Sequence, residues 1–487
     1  MGPSGELVRH IPLSLLYVAS GLVRDGFEVV LLDHRLTPRN WKGPLARELQ
    51  QGAIFVGITV MSGSPIAHAI EVSEFVKSMA DIPLVWGGPH ATAVPEQMLA
   101  KPYIDYVVAG SGVESARRLA HGLADGSLDP TLVAGLGHRV NGRPVLQPPF
   151  SGFEPVHYEQ IPYHLVRDMD AYGQLGSRER IVPLFSAYGC VYRCAFCSAP
   201  QLYQSFHKRW IKVPAAEVVE HIAHVVERLR ATEIYFYDDD SFIDLEHIRS
   251  VIRGVKARRL SVRLSFRGAR VNEVLKMDDA YLAELADAGT HILHIGVESG
   301  SQRMLDLFDK GITVDDLLAM NRKLATSTSI IPFYNWILGT PTETLEDMRE
   351  SMALMLRLVR ENPRCCIFQP NKFRPTPGTK LFEIAVACGY RRPTRLEDWI
   401  DEELESDRGQ PWYTPAMDRL IRMAQVTSYF VDHKAAMILE DKTLRNRIIA
   451  LVSMLYRPIA RLRFGRGLTA ALMEYPVYKF LAARARR

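Results

Sequence analysis

Along the first third of the chain, apolar residues come in short, nearly unbroken runs separated by stretches in which they recur every three or four positions. The runs Glu28–Asp33 (EVVLLD), Ala53–Val60 (AIFVGITV), Pro83–Trp86 (PLVW) and Tyr106–Ala109 predict buried strands. Between two of them, Ile70, Val72, Phe75, Val76 and Met79 fall at helical spacing within Ile66–Met79. Strands without polar alternation belong to parallel sheets covered on both faces, so residues 1–145 are expected to form a doubly wound, Rossmann-like α/β domain. A helix over Leu13–Arg24 comes so early that the opening strand of such a fold is missing.

From 146 to 180 the pattern lapses into an aperiodic, Pro- and aromatic-rich stretch (QPPFSGFEPVHYEQIPYHL), which reads as a linker laid across a surface. A second series follows, with strands at Ile181–Ser186, Glu233–Tyr237, Arg263–Arg267, His291–Val297, Ile330–Leu338 and Cys365–Phe373. Helical periodicity covers about 214–230, 279–288, 313–326 and 343–361. Six strands alternating with helices predict a partial, TIM-like (β/α)6 barrel over 181–385, with its active site at the C-terminal ends of the strands. Residues 386–487 lose strand signals and are expected to form a mainly helical, Arg-rich region.

Composition narrows the function. A chain of 487 residues exceeds one core, and 47% hydrophobic with 23% charged residues excludes disordered and fibrous classes. A net charge of +4 spread over the chain is no nucleic-acid footprint. No secretory leader and no uncharged apolar run of about 18 residues is evident, so a cytoplasmic location is expected. Three of the six cysteines crowd into eight residues, which in a reducing compartment argues for metal ligation over disulfides. Cys365, Cys366 and Cys388 read as inert, buried thiols.

The crowded cysteines lie in SAYGCVYRCAFCSAP, directly after a predicted strand and so at the mouth of the barrel. Three thiolates, Cys190, Cys194 and Cys197, leave one iron of a four-iron cubane open to an external ligand. A zinc site completed by His207 is the competing reading, although structural zinc usually takes paired Cys units. The CxxxCxxC spacing, with Phe196 before its last cysteine, resembles the radical S-adenosylmethionine superfamily. That resemblance implies a [4Fe-4S] cluster whose open iron is chelated by S-adenosyl-L-methionine, with Cys190, Cys194 and Cys197 as catalytic and metal residues. It places Phe196 beside the cofactor and gives Asp238 and Asp239, in the run Tyr237–Asp240, contact with the methionine moiety. Arg270 (in RGAR) and Glu298 (in GVESG) match positions contacting ribose or carboxylate. Turn capping for the aspartates and a structural ion pair for Arg270 and Glu298 are the alternatives. Leu338–Glu343 (LGTPTE) resembles the family's G-x-P-G-E-T turn with Thr342 in place of glycine, and Arg374–Thr379 its loop-closing P-x-T/Y-P-G-T.

In the N-terminal domain, glycines follow two predicted strands, at Gly87-Gly88-Pro89-His90 and Gly110-Ser111-Gly112, on the edge where α/β sheets take ligands. This layout resembles the B12-binding domain of cobalamin-dependent radical S-adenosylmethionine enzymes of the class B methyltransferase type. The resemblance implies cobalamin against those loops and Ser62. Asp33 and His34 are followed by Arg35, so no D-x-H-x-x-G motif supplies an imidazole to the cobalt's lower face. The implied activity is methylation of an unactivated carbon of a small molecule, with an electron donor of the flavodoxin or ferredoxin kind. An oxidative cyclase resembling the anaerobic magnesium-protoporphyrin ester cyclases, and a non-catalytic cobalamin or cluster sensor, are the alternatives. Residues 455–487 mix Arg with Leu, Phe and Tyr; a docked helix with a solvated basic end is favoured there over contact with a membrane surface.

Overall fold

A computed structural model describes residues 8–174, 179–203, 208–327, 329–400, 409–434 and 444–469. Near its N-terminus, helix α1 (Leu13–Arg24) precedes a five-stranded sheet of β1 (Val56–Thr59), β2 (Leu84–Gly87), β3 (Tyr106–Val108), β4 (Leu136–Val140) and β5 (Arg143–Leu146), in that spatial order. The first three strands are parallel, and β4 and β5 form an antiparallel hairpin at the edge. Helices α2 (Pro65–Met79) and α3 (Gly112–Asp125) cross over between strands or follow them. The hairpin was legible but unread: Asn141 (φ 51°) and Gly142 (φ 77°) are the Asn-Gly pair that a tight two-residue turn prefers.

One expected strand is absent. Glu28–Asp33 is irregular, and Leu32 is 41% exposed. In the doubly wound order 2-1-3-4-5 the second strand hydrogen-bonds only to the first, and among the described residues no strand lies beside β1 on that side. Val8–Arg9 pairs instead with Gly173–Gln174. Asp33 is then held by Arg35 and by the Tyr172 hydroxyl at 2.9 Å.

The second sheet runs β6 (Ile181–Leu184), β7 (Glu233–Phe236), β8 (Arg263–Ala269), β9 (Thr290–Glu298), β10 (Ile331–Leu338), β11 (Cys366–Ile367), all parallel, as a partial barrel. Alternation explains it. Leu293, Ile295 and Val297 of β9 are fully buried under the outer helices, while His294 between them faces inward against Tyr235 and Phe333. The expected last strand breaks after β11, and Asn371–Lys372 rejoins β10. Helix α4 (Ala215–Leu229) joins β6 to β7, and α5 (Leu245–Ala257), which was not expected, joins β7 to β8. Its signal was present in Ile248, Val251, Ile252 and Val255, spaced for one buried face and capped by Asp244. Helix α6 (Leu345–Glu361) starts on a capping box of Thr344 and Asp347.

Beyond the barrel come α7 (Pro415–Thr427) and α8 (Leu444–Arg466). The segment leaving the barrel packs Phe382, Leu396 and Trp399 into the core that contains Trp86 and Met98. Trp399 Nε1 donates to Gln97 Oε1 at 2.7 Å, and Lys101 pairs with Glu397. The N-terminal sheet is thereby fastened to the barrel's exit.

Candidate active site

The three crowded cysteines sit where the barrel needs a loop that cannot wander. Ala187–Gly189 pairs antiparallel with Trp210–Lys212, and at Gly189 (φ 83°) a Cβ would lie 2.2 Å from the Arg209 carbonyl, so glycine is required just before Cys190. Farther along, Ala195 N donates to Phe308 O at 2.9 Å, Leu381 N to Ala195 O at 2.9 Å and Cys197 N to Cys194 O at 3.0 Å. All three thiols are free and partly exposed, whereas Cys365 and Cys366 are wholly buried. Burial pushes the Cys190 thiol up to about 12 and Cys197 to about 11, so each needs a bound cation to become a thiolate. Two donors already address the sulfurs: Ala199 N lies 3.4 Å from Cys197 Sγ, and Arg270 Nη1 3.0 Å from Cys194 Sγ. Among the described residues no three His, Cys, Asp or Glu groups converge on a single-ion site. A cubane, which takes one sulfur per iron, does not ask them to converge. His207, the fourth ligand of the zinc reading, lies outside the described residues.

The strand ends redistribute the expected roles. Asp238 is buried with both oxygens engaged: Oδ1 accepts from Ser186 N (2.7 Å) and Ala187 N (3.1 Å), Oδ2 from Ser186 Oγ (2.5 Å). It shapes the start of the cysteine loop through these three bonds, the turn-bracing alternative to its expected contact with the methionine moiety. Burial raises its carboxyl to about 6 against those bonds. Asp239 is exposed at the mouth, near Tyr203 and Gly189. Gly268 lets β8 pass close beneath: a Cβ there would lie 2.6 Å from the Asp239 carbonyl.

Arg270 is 8% exposed, stacks 3.7 Å over the Tyr192 ring and donates from Nη2 to the Lys310 carbonyl at 2.5 Å, besides touching Cys194. Its guanidinium places a positive charge against Cys194 Sγ from Nη1, while its buried Nε has no partner among the described residues. Tyr192 in turn donates to Glu273 Oε1 at 2.7 Å, and Glu273 faces Asp240 as a buried acidic pair that holds the Asp240 carboxyl well above its usual range, burial being the larger cause. Glu298 (φ 67°) pairs with Lys310 Nζ at 3.2 Å, and Lys310 lies 5.9 Å from the Phe196 ring centre. Glu298 thus has through Oε1 the ion pair that the structural alternative expects. Tyr192, Glu273 and Lys310 were missed, since none carries a pattern that distinguishes it in sequence.

Thr342 adopts φ 68°, a left-handed conformation that glycine, the residue usual at this place in the resembled turn, takes at no steric cost. Glu343 closes the turn by accepting from Gly339 N (2.6 Å) and Thr340 N (2.9 Å), and burial lifts its carboxyl to about 8. The Gly339 carbonyl is already taken by Trp412 Nε1 (3.1 Å) and Tyr413 Oη (3.0 Å), which cover the turn. In the Arg374–Thr379 loop, Gly378 packs against Gln201 and Thr379 caps the next helix at Phe382 N, so these residues set loop shape as expected.

The glycine edge of the N-terminal sheet is built differently. Gly88 has φ 96°, and a Cβ on it would lie 2.7 Å from Thr59 Oγ1 and 3.0 Å from Val60 N and O. Gly110 (φ 82°) donates its N–H to Thr92 Oγ1 at 3.0 Å, and that hydroxyl donates to Gly88 O at 3.0 Å. At Gly112, the start of α3 after Ser111, a Cβ would lie 3.4 Å from Val18 of α1. These glycines serve the backbone first; only Gly87, with nothing nearer than Val108 O at 3.8 Å, leaves its side-chain direction open. His90, after Pro89, is fully buried: Nδ1 meets Ser62 Oγ at 2.8 Å, the ring edge meets Trp399 at 5.3 Å, and desolvation lowers it to about 4. His90 therefore acts as a neutral core group. His34 leans on His68, 4.6 Å between ring centres. The short helix Pro89–Ala93 packs against Ala199–Leu202, which directly follows Cys197, so the glycine edge and the cysteine loop adjoin.

Residues 184–355 match the Radical SAM superfamily model, and residues 7–120 the B12 binding domain model. The chain is 27% identical to an uncharacterised methyltransferase of Pyrococcus horikoshii, across 77% of this chain and 78% of that one. Its fold is similar to the radical S-adenosylmethionine methyltransferase TsrM from Kitasatospora setae, solved with cobalamin and a [4Fe-4S] cluster (TM-score 0.64, 20% identity, 79% of this chain and 74% of the other). It is also similar to the cobalamin-dependent S-adenosylmethionine radical enzyme OxsB (TM-score 0.71, 14% identity, 95% and 71%).

Proposed function

We propose that the chain, with its Radical SAM and B12 binding domain matches, is a cobalamin-dependent radical S-adenosylmethionine enzyme that methylates an unactivated carbon of a small molecule held inside the barrel. The observation that carries the reading is the adjacency of two ligand edges: the pinned loop of Cys190, Cys194 and Cys197 and the strand ends of the B12-binding domain, joined through Pro89–Ala93 and Ala199–Leu202. When bound there, the cluster, S-adenosylmethionine and cobalamin supply reductive cofactor cleavage and a transferable methyl group. Residues 1–145 are assigned to cobalamin, 146–180 to the linker, 181–385 to the cluster and acceptor, and 386–487 to the helical cover. The electron comes from a flavodoxin- or ferredoxin-like donor, and we assign the reaction to the cytoplasm.

The chain's own residues hold the acceptor. The barrel's inner wall presents Phe185, Tyr235, Tyr237, His294 and Phe333, with His10 stacked on Tyr235 at 5.1 Å. Desolvation lowers His10 and His294 to about 4, so both are neutral near pH 7. Arg267 is exposed among them, 5.6 Å over the Tyr237 ring, with no carboxylate within ion-pairing distance among the described residues. Aromatic walls with an exposed cation, Arg267, which also senses the Asp239 carboxylate at the mouth, favour a planar or apolar acceptor that carries an anionic group. The test is anaerobic turnover of the reconstituted protein with candidate acceptors, read by mass. A product heavier by one CH2, with two S-adenosylmethionine molecules consumed, supports the reading; an oxidised, unmethylated product overturns it. For an acidic acceptor, Arg267→Ala should raise KM more than it lowers kcat.

A further inference from the structure

Helix α8 docks by one face and presents the opposite kind of face from the one expected of a surface helix. Ser453, Ala460 and Phe464 are buried at 1%, 0% and 2%, packing toward α6 and α7. Outward stand Leu451 (51%), Val452 (52%), Met454 (53%), Leu455 (66%), Ile459 (52%) and Leu462 (47%). With Pro458 they are all the fully exposed residues between 451 and 462; the polar Tyr456, Arg457 and Arg461 are only partly exposed. At 3.6 residues per turn Leu451, Leu455, Pro458 and Leu462 fall on one line. An apolar stripe of this length facing water marks an interaction surface.

Charge identifies what it meets. From 444 to 487 the sequence carries ten Lys and Arg residues and one acidic residue, Glu474. Arg447 and Arg466 are exposed toward the two ends of the stripe, and Arg457 and Arg461 flank it. Beside Arg461 opens a cavity of about 350 Å³, lined by Leu356, Val359, Arg360, Pro363 and His433 in addition. Asp432, the nearby carboxylate, is fully buried and engaged by Ile367 N (2.7 Å) and Lys434. No helix among the described residues is long and apolar enough to cross a membrane.

We propose that α8 rests its apolar stripe on an anionic phospholipid surface, with the cavity between Arg360 and Arg461 receiving a lipid phosphate. The stripe supplies insertion at the boundary of headgroups and acyl chains, and the arginines supply selectivity for negative charge. This surface is independent of the methyl-transfer reading, because neither the cysteine loop nor the glycine edge contributes to it.

Flotation of the full chain with phosphatidylcholine vesicles, and with phosphatidylcholine vesicles containing phosphatidylglycerol, tests the proposal. Binding is expected only to the anionic vesicles and should weaken with salt. Leu455→Glu with Leu462→Glu should lower binding about tenfold while leaving circular dichroism unchanged, because both side chains are exposed. Arg360→Gln should reduce the preference for phosphatidylglycerol. No binding to anionic vesicles, or wild-type binding by the double variant, overturns the proposal. So does a dimer that forms without vesicles and dissolves in the double variant, since a second copy would then be the occupant.

Discussion

Two loop edges lie at the carboxyl ends of parallel strands, one in each α/β unit, and they use their signature residues in opposite ways. In the barrel, glycine and aspartate are consumed in bracing the loop: Gly189 clears Arg209, Gly268 clears Asp239, and Asp238 ties Ser186 and Ala187. The three thiols are left partly exposed, with donors trained on two of them. In the N-terminal sheet the signature residues are themselves the bracing. Gly88 lies against Val60, Gly110 is tied to Thr92, and His90 is sealed under Trp399. A motif whose residues carry reactive atoms reports a site directly, whereas a glycine motif reports first a backbone conformation and only second the ligand above it.

The sharpest break in the comparison is removal of a thiol. Replacing Cys190, Cys194 or Cys197 by Ala should reduce 5'-deoxyadenosine formation to background in an anaerobic assay, and a variant retaining wild-type cleavage would remove that cysteine from the cluster. Cys365→Ser and Cys366→Ser should keep the cluster's absorption and cost about 1–3 kcal/mol in denaturant unfolding, as a hydroxyl replaces a buried thiol.

Next in size is the glycine edge. Gly88→Leu meets both a left-handed φ and the Thr59–Val60 backbone, so it should cost about 2–4 kcal/mol even without cobalamin. Gly87→Leu should leave the melting temperature of the ligand-free protein nearly unchanged and weaken cobalamin uptake, measured by absorption after gel filtration. Equal destabilisation by the two variants would erase the distinction drawn between them.

Arg270→Gln removes a cation that donates to Cys194 and stacks on Tyr192. Loss of that charge disfavours the extra electron of the reduced cluster, so the reduction potential should fall, with cofactor cleavage slowed about 10- to 100-fold. Spectroelectrochemical titration checks the direction; an unchanged potential would make Arg270 a brace only. The smallest effect is expected from His34→Ala. With His34 lying against His68, the paramagnetic resonance spectrum of bound cob(II)alamin should show no lost nitrogen coupling.

Much of this was legible in the linear order. Runs of β-favouring residues named the three parallel strands of the first sheet and five of the barrel, the latter in spite of inward polar positions such as Arg267 and His294. The run Glu28–Asp33 misled for the same reason: its composition suits a strand, but a strand exists only if a neighbour offers a ladder. Local chemistry also fixed the cysteine loop, since three thiols within eight positions constrain one another through the chain itself.

Only the tertiary structure decided which polar residues remain free for a ligand. Asp238 and Asp239 are neighbours with identical chemistry just beyond β7, yet the first is buried against Ser186 and Ala187 while the second is exposed near Tyr203 and Gly189. Lys310, twelve residues beyond Glu298, neutralises it, and Arg267, three residues before Arg270, lies exposed over the Tyr237 ring. Sequence determines what a side chain can do through its own atoms and its nearest neighbours along the chain; which partner satisfies a buried charge depends on contacts across strands, and those exist only once the sheet has formed.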